Sequence, residues 1–218
     1  MNGFAHRLPS RLWVGLVLLL CLLGLAYLLS VAEYGQSKQK ALPVIDQIAD
    51  FTLTNQDNQV VTLADLTNHV WVADIIFTRC AGSCPIMSTD MKSLQAALSP
   101  DGQAKLVTLT TDPDYDSPAI LKKYGEHYNA DFQRWTFLTG TKNELARLAA
   151  GSLKLGATPV PPQDQKSSVD LFVHSTIFVV VDKEARLRGS FETTGDGVNW
   201  TNVQPRIVAA VHQLERER

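Results

Sequence analysis

Cysteine is scarce in this chain. Its 218 residues hold three, at positions 21, 80 and 84. That excludes the disulfide framework of small secreted domains and a four-cysteine structural zinc site. Basic clusters are also missing. Of the 20 Lys and Arg residues only Arg7 and Arg11 precede residue 33, and none of the 22 Asp and Glu do. The rest of the chain therefore carries 18 basic residues against 22 acidic ones, a net of about −4. A mildly acidic chain without a basic patch excludes nucleic acid as the partner. Charge of either sign is absent from residues 12–32, LWVGLVLLLCLLGLAYLLSVA. Internal repeats and low-complexity tracts are absent throughout.

About 20 apolar residues suffice to cross a bilayer as a helix. The core of a cleaved signal is shorter, about 7–15 residues. Residues 12–32 are therefore predicted to be a transmembrane anchor, with 1–11 on the cytoplasmic side. Ser30-Val31-Ala32 also fits a small-x-small cleavage site, which leaves removal as the alternative. Arg7 and Arg11 precede the run and Glu33 follows it. Basic flanks stay in the cytoplasm. The expectation is a single-pass protein of the inner membrane with its bulk on the periplasmic face. Cys21 lies inside the run and reads as a small apolar residue; Leu20 before it is too bulky for a lipoprotein acceptor site. On the far side thiols oxidise unless something keeps them reduced. A disulfide between Cys80 and Cys84 is the default there.

Residues 33–48 read as a polar tether and 49–218 as the folded domain. DFTLTNQDNQVVTLADL, from residue 50, has the alternation of a hairpin turning at Gln56-Asp57-Asn58. VWVADIIF, 70–77, is a strand buried on both faces. A helix follows Pro85, with Met87, Met91, Leu94 and Leu98 as its apolar stripe. AKLVTLT, 104–110, is the next strand. Ser117-Pro118 opens a second helix to about Tyr128, and WTFL, 135–138, is a short strand. Thr141 to Glu144 forms a capping box that starts a third helix. Residues 152–170 hold three prolines without a period and read as an excursion. IFVVVD, 177–182, is a buried strand, and 185–191 pairs back on it. Ile207, Val208, Val211 and Leu214 mark the last helix. Strands alternating with helices make an α/β sandwich with a mostly parallel centre. A dithiol between the first buried strand and the first helix is the layout of a thioredoxin-like fold. Here that fold is extended by an N-terminal β-hairpin and preceded by the anchor.

Cys80 and Cys84 are the chemical centre of this reading. Residues four apart share a helix face and rise about 6 Å. That is near the upper end of what a disulfide spans. Unpaired amides at a helix N-terminus favour thiolate, and two thiolates suit a soft ion such as Cu(I). The plain alternative is a stabilising disulfide, which would close a very small loop. Of the five histidines, His6 precedes the anchor, His127 and His212 read as solvated on helices, and His69 has no evident partner. His174, in DLFVHSTIFVVV, directly precedes the strand expected beside the dithiol strand. It reads either as a surface or hydrogen-bonded histidine, or as a third ligand completing a three-coordinate copper site.

FTRCAGSCP (77–85), TTDPDYDSPAILKKYGEHY (110–128), WTFLTG (135–140) and VHSTIFVVVD (173–182) together resemble the Sco/SenC family. Its members are membrane-anchored, thioredoxin-like, copper-binding assembly factors of cytochrome c oxidase. The resemblance spans about 45–215 and implies that Cys80, Cys84 and His174 hold copper, as Cu(I) or Cu(II). Ala81-Gly82 depart from the family pattern, where Pro or Thr is expected first. Asp74 interrupts the buried strand. It reads as a proton relay for Cys84, by analogy with thioredoxins, or as a carboxylate satisfied by amides or water. Asp112 and Asp116 end the next strand. They read as orienting His174 or the loop, with a helix cap the favoured reading for Asp116.

The leading functional expectation is a copper metallochaperone that serves the copper-bearing subunit of a cytochrome oxidase and relies on a periplasmic thiol reductant. The alternative is a thiol-disulfide oxidoreductase in which Cys80 attacks and Cys84 resolves, or a redox sensor. A peroxidase lacks support: Thr78 stands two residues before Cys80, not three. Asn199-Trp200-Thr201 matches a glycosylation acceptor and reads as chance.

Overall fold

The computed structural model describes residues 10–37, 41–98, 102–159, 172–174, 176–195 and 197–217. The chain divides into two compact units, 1–41 and 42–218. The first holds helix α1, Ser10–Ser37. Described side chains of α1 run mainly from Trp13 to Leu28 and are exposed. Among the described residues no helix is long and apolar enough to cross a membrane.

The second unit is built on an eight-stranded sheet. Its strands are β1 (Asp46–Gln47), β2 (Thr52–Asn55), β3 (Val60–Thr62), β4 (Trp71–Ile76), β5 (Lys105–Thr110), β6 (Trp135–Thr139), β9 (Ile177–Val181) and β10 (Arg186–Glu192). A separate ribbon pairs β7 (Ala157–Pro159) with β8 (Phe172–His174). The large sheet runs β1-β10-β9-β4-β5-β6-β2-β3. Only β4, β5 and β6 are mutually parallel; β9 lies antiparallel to β4. The parallel centre expected from the strand–helix alternation is thus three strands wide. The β9–β10 hairpin lies along its other edge, β9 antiparallel to β4 and β10 antiparallel to β9.

The run VWVADIIF is a central strand, and all six residues of β4 are buried. Alternate residues feed opposite faces, as a pleated strand requires. Trp71, Ala73 and Ile75 join a core with Leu109, Leu145 and Leu148. Val72 faces the other core with Met87, Met91, Leu94, Phe137 and Ile207. The second core is closed by α2 (Cys84–Ala97) and α5 (Trp200–Arg216), the first by α4 (Lys142–Ala146). Met87, Met91 and Leu94 are all 0% exposed, so the spacing of the stripe was sufficient to orient α2. Helix α3 (Pro118–His127) packs closely on β6: a Cβ at Gly125 would sit 2.7–2.8 Å from Phe132 and Phe137.

The hairpin β2–β3 forms as expected, with Asn58 in the left-handed region (φ 60°) at its turn. Thr141 caps α4, accepting from the Glu144 amide. Past the cap the helix widens into a π turn, Arg147–Ser152. Asn199 caps α5 by accepting from the Thr201 amide, which gives the Asn-x-Thr sequence a structural use. Within the segment read as a tether, Asp46 and Gln47 form β1 against β10. The register of β10 shifts between Leu187 and Gly189. Arg188 lies in that shift with its guanidinium buried, donating to Asp182 and to the carbonyls of Leu42 and Pro43. A bulge re-aims the extra side chain, and here it ties the entry of the unit to the sheet. The excursion at 152–170 contains β7; residues 160–170 lie outside the described ones.

Candidate functional site

The end of β4 and the start of α2 bring the two thiols together. The Cys80 amide donates to Phe77 O at 3.1 Å, turning the chain sharply out of the strand. The Gly82 amide then donates to Cys80 Sγ at 3.3 Å. Cys84 is the first residue of α2 and is 0% exposed, whereas Cys80 is half-buried. A hydrogen bond to Cys80 and burial together push the Cys84 thiol well above its ordinary range. The helix terminus was expected to favour thiolate. At Cys84 the hydrogen bond to Cys80 and burial behind Ile76 and Phe77 act in the opposite direction.

Asp74 is 0% exposed, and its Oδ1 accepts from Thr108 Oγ1 at 2.7 Å. Thr108 in turn accepts from the Trp135 indole at 2.9 Å. The Asp74 charge is near enough to Cys84 to add to the upward push on its thiol. Both readings of Asp74 thus retain a physical basis: it has a hydroxyl partner and it neighbours the inner sulfur.

Asp116 corrects an expectation. It does not cap α3; the N-cap is Ser117, without a side-chain bond. The Asp116 carboxylate is fully buried and accepts from the Thr78 amide (3.1 Å), the Thr78 hydroxyl and the Thr110 hydroxyl (2.5 Å). A buried carboxylate must find donors, and threonines at the ends of β4 and β5 supply them. Burial still raises its proton affinity, against those hydrogen bonds. The effect is to pin the segment two residues ahead of Cys80. Asp112 works on the next residue, pairing with the Arg79 guanidinium at 2.5 Å. Arg79 also lies over the Tyr115 ring, 4.1 Å from its centroid. On the inner side Tyr124 packs against the cluster of Ile76, Phe77 and Cys84, and its hydroxyl pairs with Ser88 Oγ at 2.7 Å.

Sequence reasoning missed Arg79, Tyr115, Tyr124 and Ser88. Arg79 had a local signal, a cation directly before Cys80. The others come from α2, α3 and the loop before α3 and needed the fold. Of the remaining histidines, His69 Nδ1 meets Gln103 O at 3.0 Å, His127 is exposed, and His212 pairs with Glu215. His174 ends β8, opposite Ala157, and its side chain lies outside the described ones. Among the described residues no group of three or more His, Cys, Asp or Glu could hold a metal ion. Cys80 and Cys84 supply two soft donors, which fits a thiophilic ion but leaves a coordination position to be filled.

The architecture and the dithiol junction define a thioredoxin-like α/β domain with a Cys-x-x-x-Cys site. The SCO1/SenC family profile matches residues 40–206, and the chain belongs to that family. It is 32% identical to the SCO1 protein homolog of Bacillus subtilis (strain 168) over 166 residues, 75% of this chain and 82% of that one. Its fold is similar to that of BsSco, described as a member of the Sco family of cytochrome c oxidase assembly proteins. That likeness has a TM-score of 0.67, with 27% identity over 82% of this chain and all of that one. The SCO1/SenC family lipoprotein of Bacillus anthracis str. Ames gives a TM-score of 0.66 at 25% identity, covering 81% and 98%. ScoI of Bradyrhizobium japonicum, solved with copper bound, shares the fold with a TM-score of 0.63 at 21% identity, covering 77% and 99%.

Proposed function

We propose that this protein is a copper metallochaperone that assists assembly of the copper centre of a cytochrome c oxidase. Cys80, Cys84 and His174 hold the ion. Copper is cargo, passed to the copper-bearing subunit as incoming thiolates replace these ligands one at a time. The observation that carries the reading is the pair of cysteines, one half-buried and one buried, at the β4–α2 junction of a chain in this family. Two sulfurs and an imidazole match the preference of Cu(I) for soft ligands and leave room for Cu(II) to add one. Asp112 and Asp116 hold the loop ahead of Cys80, and Asp74 stands beside Cys84. Residues 12–32 anchor the chain in the inner membrane, 1–11 remain cytoplasmic, and the domain works on the periplasmic face. The lipoprotein relative from B. anthracis is membrane-attached by another device, in keeping with a tethered mode of action. Each round of loading needs both thiols reduced, so a periplasmic thiol reductant supplies two electrons and two protons to any disulfide that forms.

The test is an anaerobic Cu(I) titration of the full chain in detergent micelles. One ion per chain is expected in the wild type, with tight binding lost in Cys80→Ser and Cys84→Ser. His174→Ala should weaken binding more than about tenfold, since even partners of ligands cost that much. Copper binding that survives both cysteine substitutions overturns the reading. A second reading, thiol-disulfide exchange with Cys80 attacking and Cys84 resolving, is favoured by their unequal exposure. It predicts that His174→Ala retains exchange activity.

A further inference from the structure

A cavity lies on the face of the sheet opposite α2. It has a volume of about 490 Å³ and is lined by Ile75, Thr111, Leu145, Ala149 and Leu155, with Lys142 among its walls. Ligand pockets commonly measure about 300–1,000 Å³ and are mostly apolar with a few polar groups. Two further features point the same way. The cavity sits at the carboxyl ends of the parallel strands β4 and β5, where crevices of open α/β sheets take ligands. Its helical wall is the π turn Arg147–Ser152 and the α4 residues before it, and such widened turns recur at functional sites. The wall presents Ala146, Ala149 and Ala150, leaving open space that longer side chains would fill.

Lys142 is the one charged side chain among the described lining residues. Its ammonium pairs with the Asp114 carboxylate, and both groups are mostly exposed. An apolar chamber with an ammonium already holding a carboxylate is complementary to a chain-and-headgroup ligand. We propose that this cavity binds a single-chain amphiphilic carboxylate, its tail inside and its head taking the place of Asp114 at Lys142. The inference does not depend on copper binding or on dithiol chemistry. It has a route to the dithiol loop: Thr110 lines the cavity, and its hydroxyl donates to Asp116, which holds Thr78.

The experiment uses the full chain in phosphatidylcholine nanodiscs, with empty discs as blank, and a diazirine-bearing dodecanoic acid as photolabel. Label should map to residues 142–155, Ile75 and 110–113. Competition by octanoate, decanoate and dodecanoate should strengthen about fourfold per added methylene while the chain still fits. Dodecanol should compete less well than dodecanoate, and Lys142→Met should weaken dodecanoate about two- to fivefold, the range of an exposed ion pair. Ala146→Trp, at an exposed position, should abolish labelling. Where its melting curve reveals misfolding, Ala150→Trp serves instead. Labelling spread beyond these lining segments, labelling undiminished by a folded tryptophan variant, or dodecanol competing as well as dodecanoate overturns the proposal.

Discussion

At the loop end of the sheet, Asp116 is fully buried and accepts three hydrogen bonds from Thr78 and Thr110. Along α2, one turn before the contact with α5, Asp90 is 7% exposed, and among the described residues its Oδ2 has no hydrogen-bond partner. Ser93, on the same flank, accepts from the Trp200 indole at 2.8 Å and from Gln204. The two regions bury the same chemical group under opposite terms. Around Asp116 the carboxylate organises the residues leading to Cys80. Around Asp90 burial alone raises the carboxyl to about 6, and nothing offsets it. The contrast teaches that burial of an acid is uninformative until its donors are counted.

The largest effect should come from Asp116→Ala. It strands the buried Thr110 hydroxyl and the part-buried Thr78 amide and hydroxyl, and a buried donor left unpaired costs about 1–3 kcal/mol. Urea unfolding should show a loss of about 4 kcal/mol, on that scale. A loss below about 1 kcal/mol would erase the distinction between the regions. Asp90→Asn should act in the opposite direction. The folded carboxyl titrates near 6 and the unfolded one near 3.8. The folded state therefore binds the proton more tightly, and stability falls as pH rises between those values. Above pH 7 the substitution should stabilise by up to about 3 kcal/mol. Below about pH 4 the gain should vanish. Denaturant midpoints at pH 7.5 and pH 4 test the sign; a gain equal at both would break the argument. Ser93→Ala, which removes the acceptor of Trp200 and Gln204, should cost about 1 kcal/mol. Combined with Asp90→Asn it shows, by a double-mutant cycle, whether the two flank residues are coupled.

The hairpin, β4, α2 and the Thr141 cap could all be read from local pattern. Each rests on interactions within a few residues: alternation, the spacing of Met87, Met91 and Leu94, and a threonine three residues before Glu144. Strand β1 could not be read in this way. Two polar residues, Asp46 and Gln47, carry no strand signal and owe their conformation to β10. The antiparallel placement of β9 was equally silent, because a buried apolar run looks the same in either direction. At the dithiol, Cys80 and Cys84 announced themselves by scarcity and spacing. Tyr124 could not, since its packing on Cys84 joins residues that are far apart along the chain.

By itself, the sequence determined which segments become strands and helices, and that two sulfurs stand where the first buried strand meets a helix. These follow from periodicity and from short-range sterics, which the order of residues encodes directly. Only the tertiary structure decided that Asp116 ties down the loop and that Arg79 lies between Asp112 and Tyr115. It alone decided that Cys80 and burial push the Cys84 thiol upward. Those outcomes depend on desolvation and on donors brought in from distant strands, and neither exists until the sheet has closed over them.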